Sequence, residues 1–154
     1  MTLKDRLTRG LIAGIAAGII QDVLDYTAYL LNLSQLRYLD WVGIIVFGAK
    51  PVTRGETFLA LGGEIFFSGI LGVIFAYLIQ KINSSNIFLK GWLYGVVIWF
   101  GTYSVMTLFK VEGFVKIDFY TALSDVITSS IYGLVLPGFP PTHNEVGGVT
   151  FKPL

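Results

Sequence analysis

The sequence predicts an all-α polytopic membrane protein, with four transmembrane helices in an antiparallel bundle and an interfacial or re-entrant segment between helices 1 and 2. Three observations carry that expectation. Of 154 residues, 54% are hydrophobic and only 14% are charged, whereas a soluble domain is about 45–50% apolar with roughly a quarter of its residues charged. Mean hydropathy is +0.70, and too few polar side chains remain to coat a soluble core of this size. Four separate apolar runs approach or exceed the roughly 20 residues that a helix needs to cross a hydrocarbon layer about 30 Å thick.

The first run covers residues 10–31 and follows Lys4, Arg6 and Arg9. A cationic start before an Ala/Gly-rich stretch also fits a secretory signal, but the run continues past Ala16, Ala17 and Gly18 to Leu31 and exceeds the usual h-region, so a retained span is expected. Residues 32–57 contain an apolar stretch too short to cross; Tyr38 and Trp41 flank Asp40 as headgroup-level aromatics would, and Gly48 with Pro51 ends the stretch before Arg54. The second run, 58–79, closes on Gln80 and Lys81, and a polar turn follows with Asn83, Ser84, Ser85 and Asn86. The third, 91–109, is bracketed by Lys90 and Lys110. The fourth, 119–136, is the weakest, diluted by Asp125 and several Ser and Thr residues before Pro137 stops it, so it needs helical neighbours to shield its polar stripe. One transmembrane domain thus occupies residues 1–136, and the Pro/Gly-rich stretch 137–154 is expected to be irregular.

Net charge is +1, which gives no field suggesting nucleic acid as a partner. The chain has no cysteine, and its one histidine, His143, sits in the tail; thiolate chemistry and sulfur-ligated metals are excluded. Lys4, Arg6, Arg9, Lys81, Lys90 and Lys152 fall on one side of the predicted membrane, and Arg37, Lys50, Arg54, Lys110 and Lys116 on the other. The balance is close, and the weight of the first helix favours both termini in the cytoplasm.

Gly10, Gly14 and Gly18 recur every four residues, and Gly91 and Gly95 repeat the spacing. Small residues at that interval let two backbones approach closely in lipid, either within the bundle or in a homo-oligomer.

The carboxylates carry the functional interest. Asp22 and Asp25 lie in the first run, Glu64 in the second and Asp125 in the fourth, and no run contains a Lys or Arg. At 100° per residue Gly14, Gly18, Gln21, Asp22 and Asp25 share one stripe. Glu64, Ser68 and Gly72 form an i, i+4, i+8 line, and Asp118, Thr121, Ser124, Asp125, Thr128 and Tyr132 share a third stripe, with Asp118 an end residue. Each acid therefore sits on a face suited to the bundle interior. Threading the helices up and down puts Asp22, Asp25, Glu64 and Asp125 within roughly 6 Å of the midplane, displaced to the same side. The expectation is a shared polar interior holding Asp22, Glu64 and Asp125, with Asp25 at its margin and Gln21, Ser68 and Thr128 beside them. Oxygen ligands without His or Cys suit protons or hard cations such as Na⁺, Mg²⁺, Ca²⁺ or Mn²⁺, and leave the identity of any metal open. Protonated acids that serve only as interhelical hydrogen-bond donors are the competing reading.

The Gly-rich GLIAGIAAGII, the interfacial YLDWVGIIVFGAKP, GVIFAYLI, LKGWLYGVVIW and the closing IYGLVL resemble, over residues 7–136, small four-helix membrane proteins of Gram-positive bacteria of the YqhR-like and YagU-like groups. Some of these carry Glu and His where this chain has Asp125 and Ser129. The resemblance implies the topology and a bacterial cell membrane, and it supplies no activity, cofactor or site.

Two functions follow. One is a small channel or transporter component using the acidic layer; the other is a non-catalytic assembly or accessory protein that packs through its glycine seams, with itself or within a larger membrane complex. An enzyme is not expected, since HExxH, GxSxG, P-loop, DTG-like and GxGD-like motifs are all missing from the sequence. No cofactor is expected, and the lipid bilayer is the one obligatory partner.

Overall fold

A computed structural model of the chain describes residues 5–111 and 117–138. Lys116, His143 and the expected irregular tail from 139 onward lie outside the described residues. Five α-helices follow one another: α1 (Arg6–Leu30), α2 (Tyr38–Phe47), α3 (Arg54–Leu78), α4 (Ile87–Leu108) and α5 (Phe119–Val135). Short 3-10 turns, Ile79–Lys81 and Leu136–Gly138, extend α3 and α5. Four of the helices are long and apolar enough to cross a membrane, and α2 is not. They run up and down, which makes the chain a multi-pass helical membrane protein.

The helices start up to a turn before the apolar runs because polar caps set their ends. Asp5 accepts from the Leu7 N–H, Asn86 from that of Leu89, and Asp118 from those of Tyr120 and Thr121. Thr53 and Glu56 form a reciprocal capping box on α3. Each cap satisfies backbone donors that a helix start leaves unpaired, so the first turn extends into the polar boundary beyond the hydrocarbon stretch. At the other end of α2, Gly48 takes φ +75°, a left-handed closure that glycine adopts without a steric penalty.

Two glycine seams hold the bundle. A Cβ built on Gly14 would stand 2.9 Å from the Cα atoms of both Gly69 and Gly72; Gly10 faces Val73 and Gly72, and Gly18 faces the Ser68 side chain. The α1 glycines thus pack against α3 within the chain. Gly91 and Gly95 meet Gly133 and Ser129 of α5 in the same manner. In lipid, where apolar burial offers little drive, such close backbone approach is a main source of helix association. Spatially the order is α3, α1, α5, α4, with α1 between α3 and α5, and α2 lies against α3.

Consecutive helices α3 and α4 are not packed along their length. Tyr94 bridges them near their connecting loop, its ring tilted against that of Phe75 at 5.2 Å and its hydroxyl donating to the Leu71 carbonyl at 2.6 Å. Further along, the gap between them becomes a cleft, with α2 at its far end. Outward, Val23, Phe66, Phe100 and Ile127 stay exposed on the long helices, as lipid-facing side chains do.

Tyr38 and Trp41 correct the sequence reading of headgroup-level aromatics. Trp41 is 5% exposed and packs its ring, tilted, 5.2 Å from that of Tyr103, while the Tyr38 hydroxyl reaches across to α5. On α2 it is Ile45, Val46 and Phe47 that face outward. The helix presents its apolar end to lipid and its aromatic–polar side to the bundle.

Candidate functional site

The intramembrane acids do not meet at a single point; they occupy three environments. Among the described residues no group of three or more acidic or histidine side chains is arranged to hold a metal ion.

Asp25, expected at the margin, is among the most buried side chains, 2% exposed, and Asp22 is the half-buried one. The cause is α2. The chain returning from α1 brings the Tyr38 N–H to 2.7 Å from Asp25 Oδ2, so the carboxyl group caps the first turn of α2. At the same turn Asp40 takes the Arg37 guanidinium through Nη2 at 2.7 Å and Nε at 3.2 Å, and also accepts the Arg37 backbone N–H. The Arg37 guanidinium in turn lies 4.9 Å from the Tyr29 ring centre. Asp25 is thereby an anchor of α2.

Asp125, 1% exposed, accepts from the Tyr103 hydroxyl of α4 at 2.7 Å. Beside it the Tyr38 hydroxyl donates to the Asp125 carbonyl at 3.0 Å and pairs with Ser129 Oγ at 2.6 Å. Thr128 turns its hydroxyl back onto the α5 carbonyls of Ser124 and Asp125, with Tyr38 Oη at 3.4 Å. Three helices, α2, α4 and α5, are tied together at this knot.

The third environment is a pair. Asp22 of α1 and Glu64 of α3 face one another across the α1–α3 seam. Ser68 donates to Glu64 Oε1 at 3.3 Å, and Gln21 and Ser68 are buried close by. Neither Asp22 Oδ2 nor Glu64 Oε2 has an N–H or hydroxyl donor from another residue. At that depth α1, α3, α4 and α5 have no Lys or Arg to face the two acids.

Glu64 also opens onto the cleft between α3 and α4. The cavity has a volume of about 630 Å³, and its lining comes from all five helices. Gln21, Glu64, Ser68 and Ser129 form the polar floor, while Phe67, Val97, Ile98, Trp99 and Met106 give apolar walls. Ile45, Phe67, Val97 and Val105 on its rim are exposed, so the mouth faces sideways among lipid-facing residues, away from the loops.

Sequence reasoning brought forward the acids, Gln21, Ser68 and Thr128, and missed Tyr38, Tyr103, Ser129 and the cleft itself. Only Ser129 carried a signal: it lies four residues after Asp125 and four before Gly133, on one helix face. No protein-family model, curated protein or solved structure matches the chain.

Proposed function

We propose that this protein is a small, non-catalytic membrane transport component whose working group is the Asp22–Glu64 carboxyl pair, a site that takes up and releases a proton within the bilayer. The observation that carries the reading is Glu64, 6% exposed with Oε2 unpartnered, facing Asp22 of a different helix with no Lys or Arg at that depth to neutralise either. An acid kept in the hydrocarbon zone at a cost of about 2.5 kcal/mol or more by insertion scales is a functional group by default. The other two acids already have structural duties, Asp25 as the cap of α2 and Asp125 as the acceptor of Tyr103. Groups facing the pair are Asp25 from α1, Ser68 from α3 and Tyr132 from α5. All are neutral or acidic, so the pair can change its charge only by gaining a proton or a cation.

Proton exchange is favoured over a hard cation because among the described residues no group of three or more acidic or histidine side chains is arranged to hold a metal ion. The assembly alternative has less support, since its glycine seams are filled within the chain. A bacterial cell membrane with both termini cytoplasmic is part of the proposal, resting on the charge pattern and on the YqhR-like and YagU-like resemblance.

The test is infrared spectroscopy of the full chain in nanodiscs across a pH series. A protonated-carboxyl band that rises and falls reversibly with pH, and is lost in both Asp22→Asn and Glu64→Gln, is expected; proteoliposomes under a potassium diffusion potential should take up protons only with the parent chain. A carboxyl band that does not change with pH overturns the reading. Stabilisation by Na⁺ or Mg²⁺ that vanishes in Glu64→Gln would replace the proton with a metal cation.

A further inference from the structure

The cleft between α3 and α4 has three properties that together specify an occupant. Its volume, about 630 Å³, lies in the range of small-molecule sites, roughly 300–1,000 Å³. Its walls are apolar and aromatic, and its mouth opens among lipid-exposed residues such as Val97 and Phe67, so a ligand enters from the bilayer and has an apolar body. At its floor stands Glu64, 6% exposed, with Oε2 lacking a donor. An apolar cleft alone would suit any acyl chain. A cleft ending on a buried carboxyl pair with no countercharge suits a cation.

We infer that the α3–α4 cleft is a binding site for lipophilic organic monocations, bulky amines or quaternary onium ions, which reach Glu64 laterally from the membrane. This rests on the carboxyl-pair reading and gives that site its substrate class. The apolar body fills the space between Phe67, Val97 and Ile98, and the charge settles against the Asp22–Glu64 pair. Tyr38, Trp41, Trp99 and Tyr132 line the same space, and aromatic faces attract a desolvated cation while tolerating its apolar groups. The exchange is charge-neutral. A pair holding two protons has no net charge; as a monocation binds, one proton leaves to water and the remaining proton stays shared between Asp22 and Glu64. Facing titratable groups are Asp25 from α1, Tyr132 from α5, and Tyr38 and Tyr103 across the cleft from α2 and α4. None can supply a cation in place of the ligand.

The test uses three probes of nearly identical shape and different charge: tetraphenylphosphonium, tetraphenylsilane and tetraphenylborate. Radiolabelled tetraphenylphosphonium is dialysed to equilibrium against nanodiscs carrying the full chain, with empty nanodiscs as the blank, and the other two serve as competitors. Saturable binding is expected, competed by unlabelled cation and not by the neutral or anionic probe. Glu64→Gln should weaken it at least about tenfold, equivalent to about 1.4 kcal/mol. Gly101→Phe is the second variant. Gly101 is on the cleft lining, and a Cβ there meets nothing within 4 Å, so the bulk enters the cleft without a clash at its root; binding should fall about tenfold with the melting temperature unchanged.

Absence of saturable binding overturns the inference, as does equal competition by tetraphenylsilane, which would make the cleft a neutral lipid groove, or full binding by Glu64→Gln. Disulfide crosslinking of Gly101→Cys between chains at the expense of cation binding would overturn it in favour of a second copy in the cleft. Two outcomes separate this inference from the one beneath it. A pH-dependent carboxyl band with no cation binding sinks the inference alone, whereas cation binding without proton release keeps the cation site and sinks proton exchange.

Discussion

Placing a methyl group on the α1–α3 seam tests the packing on which the site depends, because Asp22 and Glu64 meet only as closely as those helices do. In Gly14→Ala the new Cβ would lie 2.9 Å from Gly69 Cα and from Gly72 Cα, and would press on the Ser68 carbonyl as well. All three neighbours are backbone, so no rotamer change can relieve them. Restoring an ordinary carbon–carbon separation of about 3.5–4.0 Å requires the helices to part by about 0.6–1.1 Å, and a gap of that size forfeits a quarter to a half of each contact it opens. Overpacking of this kind costs about 1–3 kcal/mol. Alanine returns about 1 kcal/mol through its better helix propensity, which leaves a net loss of about 0–2 kcal/mol. Gly62→Ala on α3 is the internal control. A Cβ there meets nothing within 4 Å, so only the propensity gain remains. Equilibrium unfolding in mixed micelles, followed by tryptophan fluorescence, should therefore place Gly14→Ala below Gly62→Ala by about 1–3 kcal/mol. If Gly14→Ala is as stable as Gly62→Ala, the described seam is wrong and the carboxyl pair loses its geometric basis.

Two further outcomes follow from the ends of the helices. Asp118 caps α5 by accepting from Thr121 and Tyr120, and these hydrogen bonds, that of the Thr121 side chain first, hold its carboxyl below its ordinary value. Its contribution is thus complete above the unfolded value of about pH 4 and is lost as pH falls through the lower folded value; Asp118→Asn, itself a good cap, should flatten that acid-side loss in a chemical-denaturation series, and an unchanged slope refutes it. Asp25→Ala removes the acceptor of the Tyr38 N–H and should cost about 1–3 kcal/mol for the unsatisfied donor, with faster hydrogen exchange at residues 38–41, whereas Asp25→Asn, which keeps an acceptor oxygen, should leave exchange near the parent rate. Equal exchange in the two variants would show that Asp25 does not hold α2.

Much of the fold is legible in the sequence because membrane constraints act locally. A span must satisfy its own backbone and be apolar for about 20 residues, so the four long helices follow from composition alone. The small-residue periods at Gly10, Gly14 and Gly18 and at Gly91 and Gly95 likewise show that close seams exist, while leaving open which helix answers each one. That pairing depends on Gly69, Gly72 and Gly133, and one glycine stripe fits another about equally well wherever it lies along the chain.

The site is less legible, and Asp22 and Asp25 show why. Three residues apart on a helix, they differ by only about 60° in direction, so any stripe wide enough to hold one holds the other. What separates them is the chain that returns after Leu30. By laying the Tyr38 N–H on Asp25 it commits that acid to capping α2, and it leaves Asp22 to meet Glu64. The same return turns Tyr38 and Trp41 inward, where a surface-seeking reading of aromatics has no local cue to put them. It also creates the cleft, because α2 stands at one end of a gap that Tyr94 closes at the other. A ten-residue helix too short to cross the membrane therefore separates the acid that caps it from the pair proposed as the working group. The function proposed for Glu64 depends on α2 as much as on the helix that carries it.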